Sequence, residues 1–161
     1  ASAYPNSTVC GFDYHLSSIE KAMQSADREK LTNISFSQVL AKELPGNDYD
    51  LVCIFDALHD MGDPVGAAKK IKSALKPGGT FMVVEPLAGD SLEENMNLLS
   101  GIMYGFSTTI CVPVSRSQEV GLCLGSQAGE KRLSKVLKEA GFSKIKRVAE
   151  TPSNMVLEAI A

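Results

Sequence analysis

The segment from Tyr49 to Pro64 constrains the fold more than any other part of the chain. Tyr49-Asp50-Leu51-Val52-Cys53-Ile54 is a short apolar run that reads as a buried β-strand. A polar turn, Phe55-Asp56-Ala57-Leu58-His59-Asp60-Met61-Gly62, follows it, and a helix opens at Asp63-Pro64. Asp63 suits the N-cap and Pro64 the first helical turn. Strand, polar turn, helix is the unit of a parallel sheet, because parallel neighbours need a crossover between them. The turn stands at the carboxyl end of the strand, the rim where open α/β sheets bind ligands. One histidine and two carboxylates, His59, Asp56 and Asp60, are delivered to that rim.

The same rhythm runs along the chain. Residues 7–12 are short, β-branched and apolar and end at Asp13, which predicts a strand. Ser17 and Glu20 have the spacing of a capping box, with Ile19, Ala22, Met23 and Ala26 as the apolar face of the helix they open. Residues 34–39 alternate and predict a second strand, and Leu44-Pro45-Gly46-Asn47-Asp48 is a turn cluster before the third. Val65, Ala68, Ile71 and Leu75 repeat at helical spacing until Lys76-Pro77-Gly78-Gly79 stops them, and residues 80–86 make a fourth strand. A helix is expected from Ser91 to about Gly101. Residues 102–129, rich in Gly, Ser and Thr, read either as a substrate-cover segment or as an irregular packed connection. Helical spacing returns from Arg132 to Ala140 and closes at Gly141. Two terminal strands, 144–149 and 155–160, are too close in sequence for a crossover helix and are expected to pair antiparallel. The reading is one α/β domain over residues 1–161, with a parallel sheet covered on both faces and a terminal antiparallel hairpin.

Composition narrows the function. A net charge of −3 argues against nucleic acid as a partner. No apolar run approaches the ~20 residues of a membrane span, so no membrane is expected as a partner, and the first residues lack the charged and apolar regions of a secretory signal. Cys10, Cys53, Cys111 and Cys123 are scattered, without a C-x-x-C pair, which suits a reduced, cytoplasmic protein. No metal site is expected, since neither His15 nor His59 stands at ligand spacing from a cysteine. His59 is the candidate general base, because an imidazole titrating near neutrality can take a proton from a hydroxyl or phenol. The competing reading is a histidine packed on the rim at a helix start. Asp60 and Asp63 read as turn and N-cap residues and His15 as structural. Met96 and Met103 suit either an apolar pocket or the core.

Five marks in order, Gly11-Phe12-Asp13-Tyr14, Tyr49-Asp50-Leu51-Val52, Leu75-Lys76-Pro77-Gly78-Gly79, Glu85-Pro86 and Ala140-Gly141-Phe142, resemble class I S-adenosylmethionine-dependent methyltransferases over nearly the whole chain. Residues 55–64 and Gln127-Ala128-Gly129-Glu130 are similar to a bacterial branch linked to winged-helix domains and to plant-type small-molecule O-methyltransferases, whose His-Asp-Trp motif His59-Asp60-Met61 resembles. The resemblance implies a Rossmann-like methyltransferase sheet, S-adenosyl-L-methionine as cofactor and a small-molecule acceptor methylated on a hydroxyl. It places Asp13 on the ribose hydroxyls, Tyr14 beside adenine, and Phe55 and Asp56 on the cofactor channel. It makes His59 the base, flanked by two acids, Glu85 and Glu130. The alternative is a methyltransferase-like binding or structural domain without catalysis. A nicotinamide dehydrogenase fragment fits the rhythm but not the terminal hairpin or the Glu130 motif.

One departure stands out. The family begins with a strand, central in its sheet, and a Gly-rich loop for the methionine part of the cofactor, and neither is found here. The chain is therefore expected to be the carboxyl-terminal part of a longer catalytic domain, impaired alone, with a sheet that has a gap or closes up. Exposed strand edges invite pairing with another chain, so a homo-oligomer is a further expectation.

Overall fold

A computed structural model describes all 161 residues, which fall into two compact units, Ala1–Pro45 and Gly46–Ala161. The first is a βαβ unit. Strand β1 (Val9–Asp13) pairs parallel with β2 (Ile34–Gln38), Val9 opposite Ile34 and Asp13 opposite Gln38, and helix α1 (Leu16–Arg28) is the crossover. Gly11 lies opposite Phe36, and a Cβ there would come within 2.5 Å of the ring, so only glycine fits under it. The capping box at Ser17 does not form. Helix α1 starts two residues earlier, with His15 rather than Ser17 at the N-cap, because Asp13 Oδ1 accepts from the His15 backbone N–H at 2.8 Å and sets the turn.

The second unit carries a four-stranded sheet in the order β3-β4-β6-β5. Strand β3 (Tyr49–Phe55) is parallel to β4 (Leu75–Pro86). The terminal strands β5 (Lys144–Glu150) and β6 (Asn154–Ile160) pair antiparallel, and β6 inserts between β5 and β4. Helices α2 (Pro64–Ala74) and α5 (Gly129–Glu139) pack on one another. The architecture is the expected α/β one, with parallel strand pairs and a terminal antiparallel hairpin. Its strands form two separate sheets.

Period-2 alternation explains the core. On β4, Phe81, Val83 and Glu85 are buried in turn, and on β6 Met155, Leu157 and Ala159 are fully buried. Leu133, Val136 and Leu137 of α5 and Ala67, Ala68 and Ile71 of α2 close over them. Phe142, just after α5, sets its ring against Phe81 with centroids 5.8 Å apart, and the Lys72 ammonium sits 5.9 Å from the Phe142 centroid.

Four local expectations are corrected. Strand β4 begins at Leu75 rather than Thr80: Leu75 pairs with Tyr49 and Thr80 with Leu51, so the turn residues 76–79 loop out inside the strand. Strand β3 is not buried throughout, because it is an edge strand; Leu51, Cys53 and Phe55, two residues apart, all remain exposed. The helix expected from Ser91 starts instead at Leu98. Asn95 holds the preceding turn by bonding the Gly89 N–H and the Gly89 and Ser91 carbonyls, and Asn97 caps the helix on the Ser100 N–H at 2.9 Å. Residues 102–116 are regular: helix α3 (Leu98–Phe106), a π turn (Ser107–Cys111) and helix α4 (Val112–Arg116) run on without a break. Pro113 has no N–H to give to the preceding turn and its ring crowds it, and the wider π turn relieves both. The run Leu98–Arg116 is 19 residues with a mean hydropathy of 1.4, long and apolar enough by length and composition alone to cross a membrane. Interspersed Gly, Ser and Thr hid that length in the sequence.

Replacing Phe142 by Ala is expected to lower stability by about 3–5 kcal/mol, the usual cost of emptying a buried aromatic site, read as a fall in the urea midpoint.

Candidate active site

The site is organised from β4. Alternation keeps Glu85 on the buried face at the carboxyl end of the strand, where it is 1 % exposed. A carboxylate there needs donors, and the turn after β3 supplies three. Glu85 Oε1 accepts from the backbone N–H of Leu58 at 2.8 Å and of Ala57 at 3.2 Å, and Oε2 lies 2.5 Å from His59 Nδ1. The residues Leu58–Asp60 form one 3-10 turn, so ring and backbone face the same carboxylate. Asp56 enters that turn at φ +44°, a left-handed conformation that Asp tolerates better than most residues. It is fixed by its N–H on the Val84 carbonyl at 2.8 Å and by Asn154 Nδ2, which donates to Asp56 Oδ1 at 2.7 Å.

The other side of the turn is laced to α4 and to the segment after it. Ser115 Oγ donates to the Met61 carbonyl at 2.8 Å, Gln118 Nε2 to the Asp60 carbonyl at 3.0 Å, and the Leu122 and Gly125 N–H groups to the Gly62 and His59 carbonyls. Gly62 allows this approach: a Cβ would stand 2.5 Å from both Gln118 Cβ and the Glu119 carbonyl oxygen. His59 is thereby 4 % exposed. It lines a cavity of about 430 Å³ whose polar end includes Asp56 and Asn154 and whose wall is Met103, Phe106 and Ile110.

Burial alone pulls the His59 imidazole down. The Glu85 hydrogen bond and the charges of Glu85, Asp60 and Asp56 together outweigh it, so His59 is held above its ordinary value. With Nδ1 committed to Glu85, Nε2 is the nitrogen left for chemistry. It lies 3.2 Å from Asp60 Oδ1.

The structure brings His59, Glu85 and Asp56 together and leaves other expected residues elsewhere. The expected flanking role of Glu130 is not made. Asp90 Oδ1 accepts from the Lys131 N–H at 2.7 Å and holds the start of α5, and Glu130 is drawn to Arg147 Nε on β5 at 3.1 Å, in a separate depression of about 400 Å³. Phe55 is 62 % exposed and does not line the cavity. Asp13 and Tyr14 belong to the first unit. Asp13 is half-buried at the end of β1, and the Tyr14 ring beside it is exposed, with the Tyr14 carbonyl accepting from Gln38 Nε2 at 2.9 Å. A carboxylate at a strand end next to an open aromatic face fits the ribose hydroxyls and base of an adenosine group. Asp63 caps α2 on the Gly66 N–H, His15 bonds Ser18, and Met103 serves the cavity while Met96 is exposed. The sequence reading missed Asn154, Asp90 and Cys111. Asn154 and Asp90 act across long stretches of chain, and the π turn that positions Cys111 has no pattern of its own.

Comparison with known proteins agrees with this fold. The family described as "Methyltransferase domain" matches residues 1–141, and the chain belongs to that methyltransferase family. It is 31% identical over 119 residues to sterol 24-C-methyltransferase erg6 of Aspergillus fumigatus, covering 70% of this chain and 32% of that protein. It is 29% identical over 84 residues to the uncharacterized protein YafE of Escherichia coli, covering 51% of this chain and 41% of that one. Among solved structures, the apo form of the S-adenosylmethionine-dependent methyltransferase SibL superimposes with a TM-score of 0.75 at 17% identity, over 99% of this chain and 45% of SibL. A candidate O-methyltransferase from Nostoc punctiforme gives 0.71 at 22% identity, over 98% and 46%. At these identities the structures speak for the fold. The chain spans between a third and a half of the length of these four proteins.

Because the folded-state pKa of His59 is raised, the protonated form is favoured on folding. That contribution is complete below the ordinary value of 6.5 and is lost as pH rises through the folded-state value. NMR titration of the His59 ring is expected to give a midpoint above 6.5. Glu85→Ala, which leaves the imidazole and two N–H groups without their acceptor, is expected to cost about 3–5 kcal/mol.

Proposed function

We propose that this chain is the catalytic part of an S-adenosylmethionine-dependent methyltransferase that acts on a hydroxyl of a small molecule with an apolar body. The observation that carries this reading is the His59–Glu85 pair at the polar end of a cavity walled by Met103, Phe106 and Ile110. When bound, the cofactor supplies a methyl group already activated on a sulfonium, so the protein must align the acceptor, exclude water and dispose of one proton. His59 Nε2 takes the acceptor's hydroxyl proton. Glu85, on Nδ1, fixes the ring orientation and stabilises the imidazolium that results. The apolar wall holds the body of the acceptor, and residues 102–129, which supply Met103, Phe106 and Ile110, act as its cover. In the first unit, Asp13 accepts from the ribose hydroxyls and Tyr14 packs beside adenine; in the second, taken by itself, Phe55 and Asp56 are assigned to the cofactor channel. The full activity belongs to a longer protein, and the 161 residues alone are impaired. Both the partial coverage of the relatives and the exposed Leu51, Cys53 and Phe55 on edge strand β3 support that view, and the edge strand also supports a self-associated form.

Calorimetric titration of the chain with S-adenosylmethionine and S-adenosylhomocysteine tests the cofactor assignment. Saturable binding lost in Asp13→Ala is the expected outcome; binding indifferent to that change removes Asp13 from the site. In a longer version that turns over, His59→Gln is expected to lower kcat by about 10²–10⁴-fold, the range for a lost general base. The rate should rise with pH through the His59 pKa. Asp60→Asn removes a charge that raises this pKa, so the rising limb should move to lower pH. Undiminished turnover in His59→Gln rules out the base.

A further inference from the structure

We infer that His59 Nε2, Asp60 Oδ1 and Cys111 Sγ form a binding site for a divalent cation of the zinc class. The three donor atoms all lie within 4.8 Å of one another, with His59 and Cys111 buried and Asp60 partly so. Four observations converge on a cation. Imidazole nitrogen, carboxylate and thiolate are the donors zinc takes in tetrahedral sites. Asp60 Oδ1 is shut off from solvent, and the groups it faces are the other two donors, His59 Nε2 and the Cys111 thiol. Its 3.2 Å separation from His59 Nε2, an ion pair when the ring is protonated, is close to the ~3.3 Å edge of a tetrahedron with zinc–nitrogen and zinc–oxygen bonds near 2 Å. The second nitrogen of His59 rests on the buried carboxylate of Glu85, the carboxylate–histidine arrangement that orients ligating imidazoles.

The donors come from two distant segments, the turn after β3 and the end of the π turn, which is why no ligand spacing is visible in the sequence. His59 and Cys111 both line the cavity, so the fourth tetrahedral position opens towards it, as in zinc sites that keep one position for water or substrate. Burial first, and then Asp60, push the Cys111 thiol above its ordinary value, so the metal-free site holds S–H. Binding breaks that S–H bond, forms the sulfur–metal bond and releases the proton to solvent, together with any proton on Nε2. The site goes beyond the acid–base reading of His59. Cation and proton compete for one lone pair, so a loaded chain has no base at Nε2.

The test uses the whole reduced chain, stripped of metal, titrated with Co²⁺ alone. One equivalent is expected to produce a near-ultraviolet sulfur-to-cobalt charge-transfer band and visible bands of tetrahedral intensity, both displaced by Zn²⁺. Cys111→Ala should abolish the charge-transfer band while leaving the far-ultraviolet circular dichroism unchanged. A triple variant, Cys10→Ala, Cys53→Ala and Cys123→Ala, should keep it. Asp60→Asn should weaken binding at least ten-fold. No band in the unaltered chain, or a band that survives Cys111→Ala, overturns the site. None of these readouts depends on turnover, so neither failure touches the methyl-transfer reading.

Discussion

Everything at this site depends on one carboxylate that cannot reach water. Strand alternation commits Glu85 to the buried face of β4, and an uncompensated charge there would cost several kcal/mol. Two backbone N–H groups and an imidazole satisfy it, all from one short turn. The dependence runs both ways. Those N–H groups follow the end of β3, where the parallel ladder stops and no strand partner remains for them. Without Glu85 the turn would have two orphaned donors and the His59 ring would lose its partner at Nδ1. The carboxyl end of β4, the turn and the imidazole therefore behave as one unit.

A second set of contacts turns that unit into a pocket. Ser115, fully buried, gives its hydroxyl hydrogen to Met61 and takes one from the Cys123 N–H, so a single side chain ties α4, the histidine turn and the following loop. The loop pays for this closeness with left-handed backbone at Val120 and Cys123 as well as at two glycines. With its far end anchored in this way, the helical run from Leu98 lays Met103, Phe106 and Ile110 along the cavity. Leu98 and Ile102 stay open to solvent at 84 % and 50 %. Phe106 and Ile110 are themselves half exposed, so this face of the run is open apolar surface rather than packed core.

The parts of this arrangement that were legible in the sequence are those governed by short-range rules. Period-2 alternation, Asp63-Pro64 and Gly141 located β3, α2 and the end of α5, and the brief link between the last strands forced an antiparallel pair. His59 could be singled out because it stands in the turn that follows a strand, whereas the role of Glu85 was implied only by the resemblance to plant-type O-methyltransferases. What the sequence did not show depends on partners far along the chain. Glu130 stands at the right place for a flanking acid, but a cation on β5 captures it, and the motif holds no trace of Arg147. Residues 102–116 resisted assignment because a helix interrupted by a π turn and a proline breaks the 3.6-residue period on which such readings rest. The burial expected of β3 failed for a related reason: an apolar run shows that a face wants cover, not that cover is present.

The two nitrogens of His59 bring these threads together. Once Nδ1 is fixed on Glu85, the ring has a defined tautomer whenever it is neutral, with the lone pair on Nε2. Position and basicity then come from the same source, since the carboxylate that orients the ring also raises its affinity for a proton. A lone pair made more basic in this way is a better base for a hydroxyl and also a better ligand for a cation. Asp60 bears on both roles, because its enclosed oxygen, 3.2 Å from Nε2, favours a positive charge there, whether a proton or a cation carries it. The proposed base and the proposed metal site therefore rest on the same geometry, the lone pair of Nε2 left free by the Glu85 contact at Nδ1.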